Sequence, residues 1–473
     1  MVLLSILTIP FIAAILLLFV KHDEKANYVA IAASGIALAL SFNIACNGAV
    51  NFDAAWIPSL NARFTLTADG LSKILLLLTC ISFPAIFFAT AKNEIKNRNQ
   101  FLSLMLFTQT GLLGVFLAGD ALLFYFFWEL ALIPVYFLCS IWGGEKRVAV
   151  TFKFFIYTFL GSLFMLIGVI FLYNHTADQS FAYASFKAAN LTAGQKLIAF
   201  ALFFTAFAIK MPIFPLHTWQ PDAYEQSPTS VTMVLSAVMV KMGLYGVIRW
   251  LMPLFPAAFI AHSNFVVILS VIGILYASFI AIRQDDMKRL IAYSSIAHIG
   301  LMSAALFTNI EIGVQGVLIQ LFSHGINVLG LWIIADIIEQ QTGTRSLKEM
   351  GGLAKQNPIL GILLVGFAFA NIALPLTNAF VGEFLMFNAI FQFNPWIAAV
   401  AGVSVVLAAI YTLNMVQKCA YGEVSEKINK MQASNMPAQF VLIVLFIVVI
   451  LTGVYPAPLF DLTTGTLQQL FIK

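Results

Sequence analysis

Residues 197–219 read LIAFALFFTAFAIKMPIFPLHTW, an apolar run interrupted by Lys210, Pro212 and Pro215. About 20 apolar residues suffice for a helix to cross the hydrocarbon core of a bilayer. A proline inside such a helix removes an N–H and clashes with the preceding turn, so the helix breaks there. Bare backbone is not tolerated against lipid, and the break must therefore sit inside protein or line a hydrated cavity. A second apolar stretch, residues 358–391, carries the same device at Asn371-Ile-Ala-Leu-Pro375-Leu-Thr-Asn378. Paired breaks in the two halves of a transporter mark its conduction path.

Working outward at the same length gives fourteen segments, near 3–20, 27–46, 71–91, 101–118, 121–142, 150–173, 197–219, 229–253, 264–282, 290–308, 312–336, 358–391, 396–421 and 437–455. The 473 residues are 61% hydrophobic and 10% charged. Soluble domains are nearer 45–50% and 25%, which excludes a soluble enzyme, a disordered chain and a nucleic-acid-binding protein. The runs are continuous, without the period-two alternation of a membrane β-barrel. The fold class expected is all-α integral membrane, a single polytopic domain over 1–473. Residues 3–20 are followed, not preceded, by positive charge, so they read as a retained first helix rather than a signal peptide. Loops after odd-numbered segments hold fifteen of the 25 Lys and Arg, from Lys21 to Lys430; loops after even-numbered ones hold Arg63, Lys73, Lys187 and Lys196. Positive loops stay in the cytoplasm. Both ends of the chain are thus expected on the outer, periplasmic side.

With the loop charges set aside, Lys153, Lys210, Lys241, Arg249, Lys418 and Lys473 remain. Lys473 is the last residue. Lys153, Arg249 and Lys418 lie near segment ends, where their heads can snorkel to the interface. Lys210 and Lys241 lie well inside apolar sequence, as do Glu129 and Glu383, and His298 and His324 fall in the tenth and eleventh segments. Each charge at the bilayer centre costs about 2.5–3.5 kcal/mol on insertion scales. A set that only locked helices together would be an expensive lock. Carboxylate, amine and imidazole are also the groups that take up and release protons, and in series they make a proton relay.

Glu129 to His298, Lys153 to His324 and Lys210 to Glu383 are 169, 171 and 173 residues apart. These offsets suggest that segments 4–8 are repeated as segments 9–13. Five is odd, so the second copy would be inverted. The expected division is 1–100 for the first three helices, 101–253 for the first repeat, 264–421 for the second and 437–473 for the last helix and tail. No dinucleotide fingerprint, phosphate loop or metal-ligand spacing occurs. The four cysteines lie apart with no CxxC, which disfavours iron–sulfur ligation and a disulfide framework. His217, beside Trp219 and Pro221, reads as an organiser of the break rather than a metal ligand.

The runs FFWELALIPVYFL (126–138), KMPIFPLHTWQPDAY (210–224), SPTSVTMVLSAVMVKMGLYG (227–246), KRLIAYSSIAHIG (288–300) and FVGEFLMF (380–387) resemble the antiporter-like membrane subunits of respiratory complex I. The resemblance covers nearly the whole chain and is strongest over 120–390. It implies a proton-translocating subunit of NADH:quinone oxidoreductase. NADH, FMN, iron–sulfur clusters and quinone would then belong to partner subunits, with no cofactor and no metal in this chain. Its partners would be L- and N-type membrane neighbours, the peripheral redox arm and lipid, in a bacterial inner membrane. The length leaves no room for the L-type C-terminal extension, and Glu383, where N-type and antiporter subunits carry lysine, points to the M-type branch. By position the resemblance makes Glu129 the essential carboxylate paired with Lys210. Lys241 becomes the central lysine, His298 and His324 continue the axis, and Glu383 is the exit carboxylate. The family commonly reads LPDAH where this chain has Gln220-Pro-Asp-Ala-Tyr224, which bears on water access. The alternatives are a subunit of a multi-subunit sodium/proton (Mrp-type) antiporter and a passive scaffold.

Overall fold

The computed structural model describes residues 1–20, 22–431 and 436–471. Lys21 and Lys473 lie outside the described residues. Among these residues, twelve helices are long and apolar enough to cross a membrane. In chain order the membrane helices begin with α1 (Val2–Leu17), α2 (Asp23–Cys46), α3 (Gly70–Ala89), α4 (Arg98–Leu117), α5 (Ala121–Trp142), α6 (Arg147–Tyr173) and α7 (Ala193–Lys210). They continue as α8 (Thr229–Leu254), α9 (Pro256–Ile282), α10 (Met287–Phe307), α11 (Glu311–Thr342), α12 (Pro358–Asn371), α13 (Asn378–Phe393), α14 (Pro395–Ala420) and α15 (Met436–Val454). The last helix is α16 (Ala457–Phe471). Each of the fourteen expected segments is helical, the seventh and twelfth only in part.

The starts follow from local chemistry. Asp69, Asp120, Asp286 and Asn394 cap α3, α5, α10 and α14, each side chain accepting from backbone N–H groups of the first turn. Thr192 and Gln195 make a capping box at α7. The caps mark where the chain leaves the apolar slab, because free N–H groups there need an acceptor.

Two elements lie outside the expected segments. Residues 50–68 form an antiparallel hairpin, β1 (Val50–Ile57) and β2 (Ala62–Ala68), with Asn61 in the left-handed region at the turn. Its strands show the period-two alternation of a half-buried ribbon, visible in Asn-Phe-Asp and Arg-Phe-Thr-Leu-Thr. Asp53 and Arg63 form an ion pair across the hairpin, which holds the Asp53 carboxyl below its usual range. The expected tail is also helical: α16 packs on α3 and α11, and Thr466 Oγ1 accepts from Gly70 N at 2.8 Å.

The helix pairings recur. α4 packs on α5, α5 on α6 and α6 on α7; α9 packs on α10, α10 on α11 and α11 on α13 in the same sequence. α8 is buried over most of its length and lies against α7, α11 and α3. It contains two π-turns, Leu235–Met239 and Val247–Leu251, on either side of Lys241. Such turns leave backbone carbonyls out of register, often at functional positions.

Neither Lys153 nor Arg249 snorkels freely. Lys153 Nζ meets Asp222 Oδ2 at 2.9 Å, and Arg249 Nη2 meets Asp69 Oδ1 at 2.6 Å with both side chains about one-fifth exposed. Arg249 also bonds Tyr245 and Ser72, tying α8 to α3. Lys73, expected in a loop, is in α3 and donates to the carbonyls of Asn47 and Gly48. Burial pushes the Asp69 carboxyl up, but the Arg249 guanidinium and the Ser72 N–H outweigh it and hold it below the ordinary aspartate value. A depressed carboxylate stabilises above its unfolded-state pKa and loses that stabilisation as pH falls through the folded one. Asp69→Ala should cost about 3–5 kcal/mol, because it strands the guanidinium. The melting temperature of the purified assembly should fall at neutral pH, and the gap from wild type should close only in strong acid.

Candidate proton-transfer site

The broken helices come first, because they position the charges. α7 ends at Lys210, and the chain runs without regular helix to the short helix Gln220–Gln226. Trp219 Nε1 donates to Ile209 O at 3.1 Å and Lys153 Nζ to Thr218 O at 2.8 Å. Those bonds satisfy carbonyls that the break would leave bare. α8 comes close here: a Cβ on Gly243 would lie 2.7 Å from Met211 N, so only glycine lets the two backbones meet.

The second break lies between α12 and α13. Asn327 Nδ2 donates to Ala370 O at 3.1 Å, His298 Nε2 lies 2.9 Å from Asn371 O, and Ser323 Oγ donates to Asn378 O at 3.2 Å. Ala373 and Leu376 adopt φ of 54° and 76°. Left-handed backbone at residues with side chains costs about 1–3 kcal/mol each and persists only where the surroundings impose it. Here α10 and α11 impose it by bonding both sides of the break.

Four of the six expected relay residues form one connected row. Lys241 Nζ donates to Ser236 O at 2.6 Å, a carbonyl within the first π-turn, and lies 3.0 Å from His324 Nδ1. The His324 and His298 rings are 5.3 Å apart. His298 Nε2 is 3.5 Å from Glu383 Oε1, which also accepts from Gln320 at 3.4 Å. Lys241 has no exposed surface, and the two imidazoles are buried.

His298 has a specific electronic constraint. Its Nδ1 faces Ser294 O at 2.7 Å and its Nε2 faces Asn371 O at 2.9 Å. A neutral imidazole has one N–H and one lone pair, so it can satisfy only one of two acceptors. The doubly protonated ring satisfies both and places its positive charge beside Glu383. Ser294 is held in turn by Asn371 Nδ2 at 3.0 Å and Tyr411 Oη at 3.1 Å.

The other two residues stand apart. Glu129 and Lys210 do not form the direct ion pair expected; no contact within 4 Å joins them, and Lys210 Nζ has no hydrogen-bond acceptor among the described residues. The amine instead lies 5.8 Å from the Trp128 ring centre, over its π-face. Glu129 Oε1 is also unpartnered. Trp128 and Glu129 are neighbours in α5, so the indole face takes the place of the carboxylate against the amine. No hydrogen bond connects Lys210 to Lys241 among the described residues.

Ser236, Ser294, Gln320, Asn327 and Tyr411 escaped the sequence reading. Their signal is faint, single polar residues in apolar runs with no periodicity. Asn371 and Asn378 flank the proline break and were the legible exceptions.

The chain matches the model of the family described as NADH:quinone oxidoreductase/Mrp antiporter, TM, over residues 118–410. NADH-quinone oxidoreductase subunit M of Rhodobacter capsulatus is 36% identical, the match covering 99% of this chain and 96% of that one. The subunit of the same name from Escherichia coli K12 is 34% identical over 94% and 93%. A chain of respiratory complex I from Thermus thermophilus with bound NADH superposes with a TM-score of 0.91 at 28% identity, covering all of both chains. A chain of the Mrp complex from a Dietzia species has the same fold, with a TM-score of 0.89 at 20% identity over 99% and 97%.

Lys210 holds a buried ammonium without an acceptor, so Lys210→Met removes an unsatisfied donor while keeping volume. The variant assembly should melt no lower than wild type. Asn327→Leu should lower the melting temperature, because it leaves the Ala370 carbonyl without its partner at a cost of about 1–3 kcal/mol.

Proposed function

The chain belongs to the NADH:quinone oxidoreductase/Mrp antiporter family as an M-type membrane subunit of NADH:quinone oxidoreductase, and from that premise we propose that protons cross it along the row Lys241, His324, His298 and Glu383. The observation that carries this reading is the row itself. Four titratable groups from α8, α11, α10 and α13 stand in file where helices are broken or π-bulged.

A proton between Lys241 Nζ and His324 Nδ1 moves across 3.0 Å, within the range for direct transfer. Through the facing imidazole it reaches His298, whose two carbonyl neighbours fit the protonated ring. Glu383 then takes the Nε2 proton of His298: the carboxylate becomes neutral and the ring loses its charge in the same step, free to accept the next proton from the His324 side.

Glu129 and Lys210 set when this happens. A positive charge on Lys210 repels one on Lys241, and low dielectric makes that repulsion felt without contact. Ionised Glu129 offsets the Lys210 charge. The unpaired geometry in this structure suits a couple that closes and opens as the neighbouring subunit moves, closer to a switch than to a fixed bridge. Nucleotide oxidation and quinone reduction fall to partner subunits, and this chain works as the translocase part. We read it as one membrane domain whose two five-helix units, α4–α8 and α9–α14 with α12 and α13 as one broken helix, are inverted relative to each other. The positive loops support a reading with both ends of the chain on the periplasmic face of a bacterial inner membrane. Glu383 and the M-type relatives support this reading over an antiporter working without redox partners.

Glu129→Gln is the test. The assembly should form and oxidise NADH with an uncoupled or strongly slowed turnover, and proton pumping into inverted vesicles should fall at least tenfold. Lys210→Ala should match it, and the double variant should lose no more than either single one. Wild-type pumping by Glu129→Gln would defeat the switch.

A further inference from the structure

A polar cavity of about 630 Å³ opens on the face where the positive loops gather. It is walled by the loops after α3, α5 and α11, the segment before α8 and the start of α10. Glu225 and Glu339 line it, but both are held by cations: Glu225 by Arg289 and Arg345, Glu339 by Lys288 at 2.5 Å. Glu94 and Glu145 are exposed at the rim, with Lys96 and Lys146 beside them. Asp336 differs. It is 4% exposed, and among the described residues no cation lies within 4 Å of it; Asn93 Nδ2 donates to its Oδ2 at 2.9 Å. Lys288 is the nearest cation facing it, and that amine is committed to Glu339 and Thr229.

Asp336 and His324 share α11, twelve residues apart, or about 18 Å along the axis. The space between is not purely apolar. Trp332, one turn from Asp336, has an indole N–H with no protein partner, and its ring meets that of Tyr224 edge-on with centres 6.1 Å apart. The Tyr224 hydroxyl is buried and unpartnered, facing Ser236. Ser236 Oγ lies 3.4 Å from Ser295 Oγ, and Ser236 O accepts from Lys241. Buried polar groups without protein partners are costly and are normally completed by water. They run here from the cavity floor to the central lysine.

We propose that this cavity is the proton-collecting vestibule of the relay, and that Asp336 takes up the proton there and passes it on toward Lys241. The proposal rests on the relay reading above. In each cycle one Asp336 carboxylate oxygen binds a proton from cavity water. The proton moves over water and the Tyr224 and Ser236 hydroxyls, each gaining one O–H bond and losing another. It ends on the Lys241 amine after that amine has given its proton to His324. Asp336 is left ionised for the next.

Asp336→Asn tests this, because the amide keeps the shape and can still bond Asn93. Proton pumping and NADH oxidation would be followed in inverted vesicles between pH 6.5 and 8.5, with Asp336→Glu and Lys241→Met in parallel. Asp336→Asn is expected to slow pumping five- to tenfold at pH 8, with a deficit that shrinks toward pH 6.5. Asp336→Glu should restore the rate. If Lys241→Met abolishes pumping but Asp336→Asn pumps normally at pH 8, or fails equally at every pH, the vestibule role is overturned while the relay stands. If Lys241→Met also pumps normally, both are overturned.

Discussion

Hydrocarbon offers no partner to a backbone carbonyl, and the architecture follows from that constraint. Wherever a helix stops inside the membrane, side chains from neighbouring helices must finish its hydrogen bonds. Trp219 and Lys153 do so at the first break; Asn327, Ser323 and His298 do so at the second. These partners come from α6, α10, α11 and the short helix after α7, so the breaks hold the bundle together as much as they interrupt it. His298 shows how structure and chemistry share a residue. It closes the α12 break and stands in the proposed proton path, and on losing a proton it must leave either Ser294 O or Asn371 O without a donor. A proton passing through it perturbs a helix end.

Charge is placed by the same logic. Arg249 with Asp69 and Lys153 with Asp222 are paired and bind helices to one another. Lys241 and Lys210 are buried without carboxylates in contact. A tight ion pair would hold its proton in place; an amine facing an imidazole, or an indole, can release it. The structure thus separates paired charges, which fasten, from unpaired ones, which the proposed relay would use.

The sequence reading reached the broken helices, six ionisable residues inside the membrane helices and the membrane class, because each breaks a strong rule: proline or charge in a long apolar run. It placed Glu129 against Lys210, whereas Trp128 faces the amine. Neighbours in α5 differ by about 100° around the helix axis, and which of them meets α7 depends on a rotation that spacing leaves open. The hairpin at 50–68 and α16 were missed because charge and hydropathy windows tuned to 20 residues pass over short amphipathic elements. Lys153 and Arg249 looked like interface residues because their acidic partners are 69 and 180 residues away in the chain.

What the sequence determined by itself is the list of groups that could not be there by chance and the slab they sit in. Burial cost alone singles them out, and cost is a property of composition and position along a helix. Only the tertiary structure decided which of them touch. The order Lys241, His324, His298, Glu383 draws on four helices from three parts of the chain, brought into file by helix rotation, π-turns and the close approach at Gly243. A proton moves over about 3 Å at a time, and at that scale sequence distance carries no information.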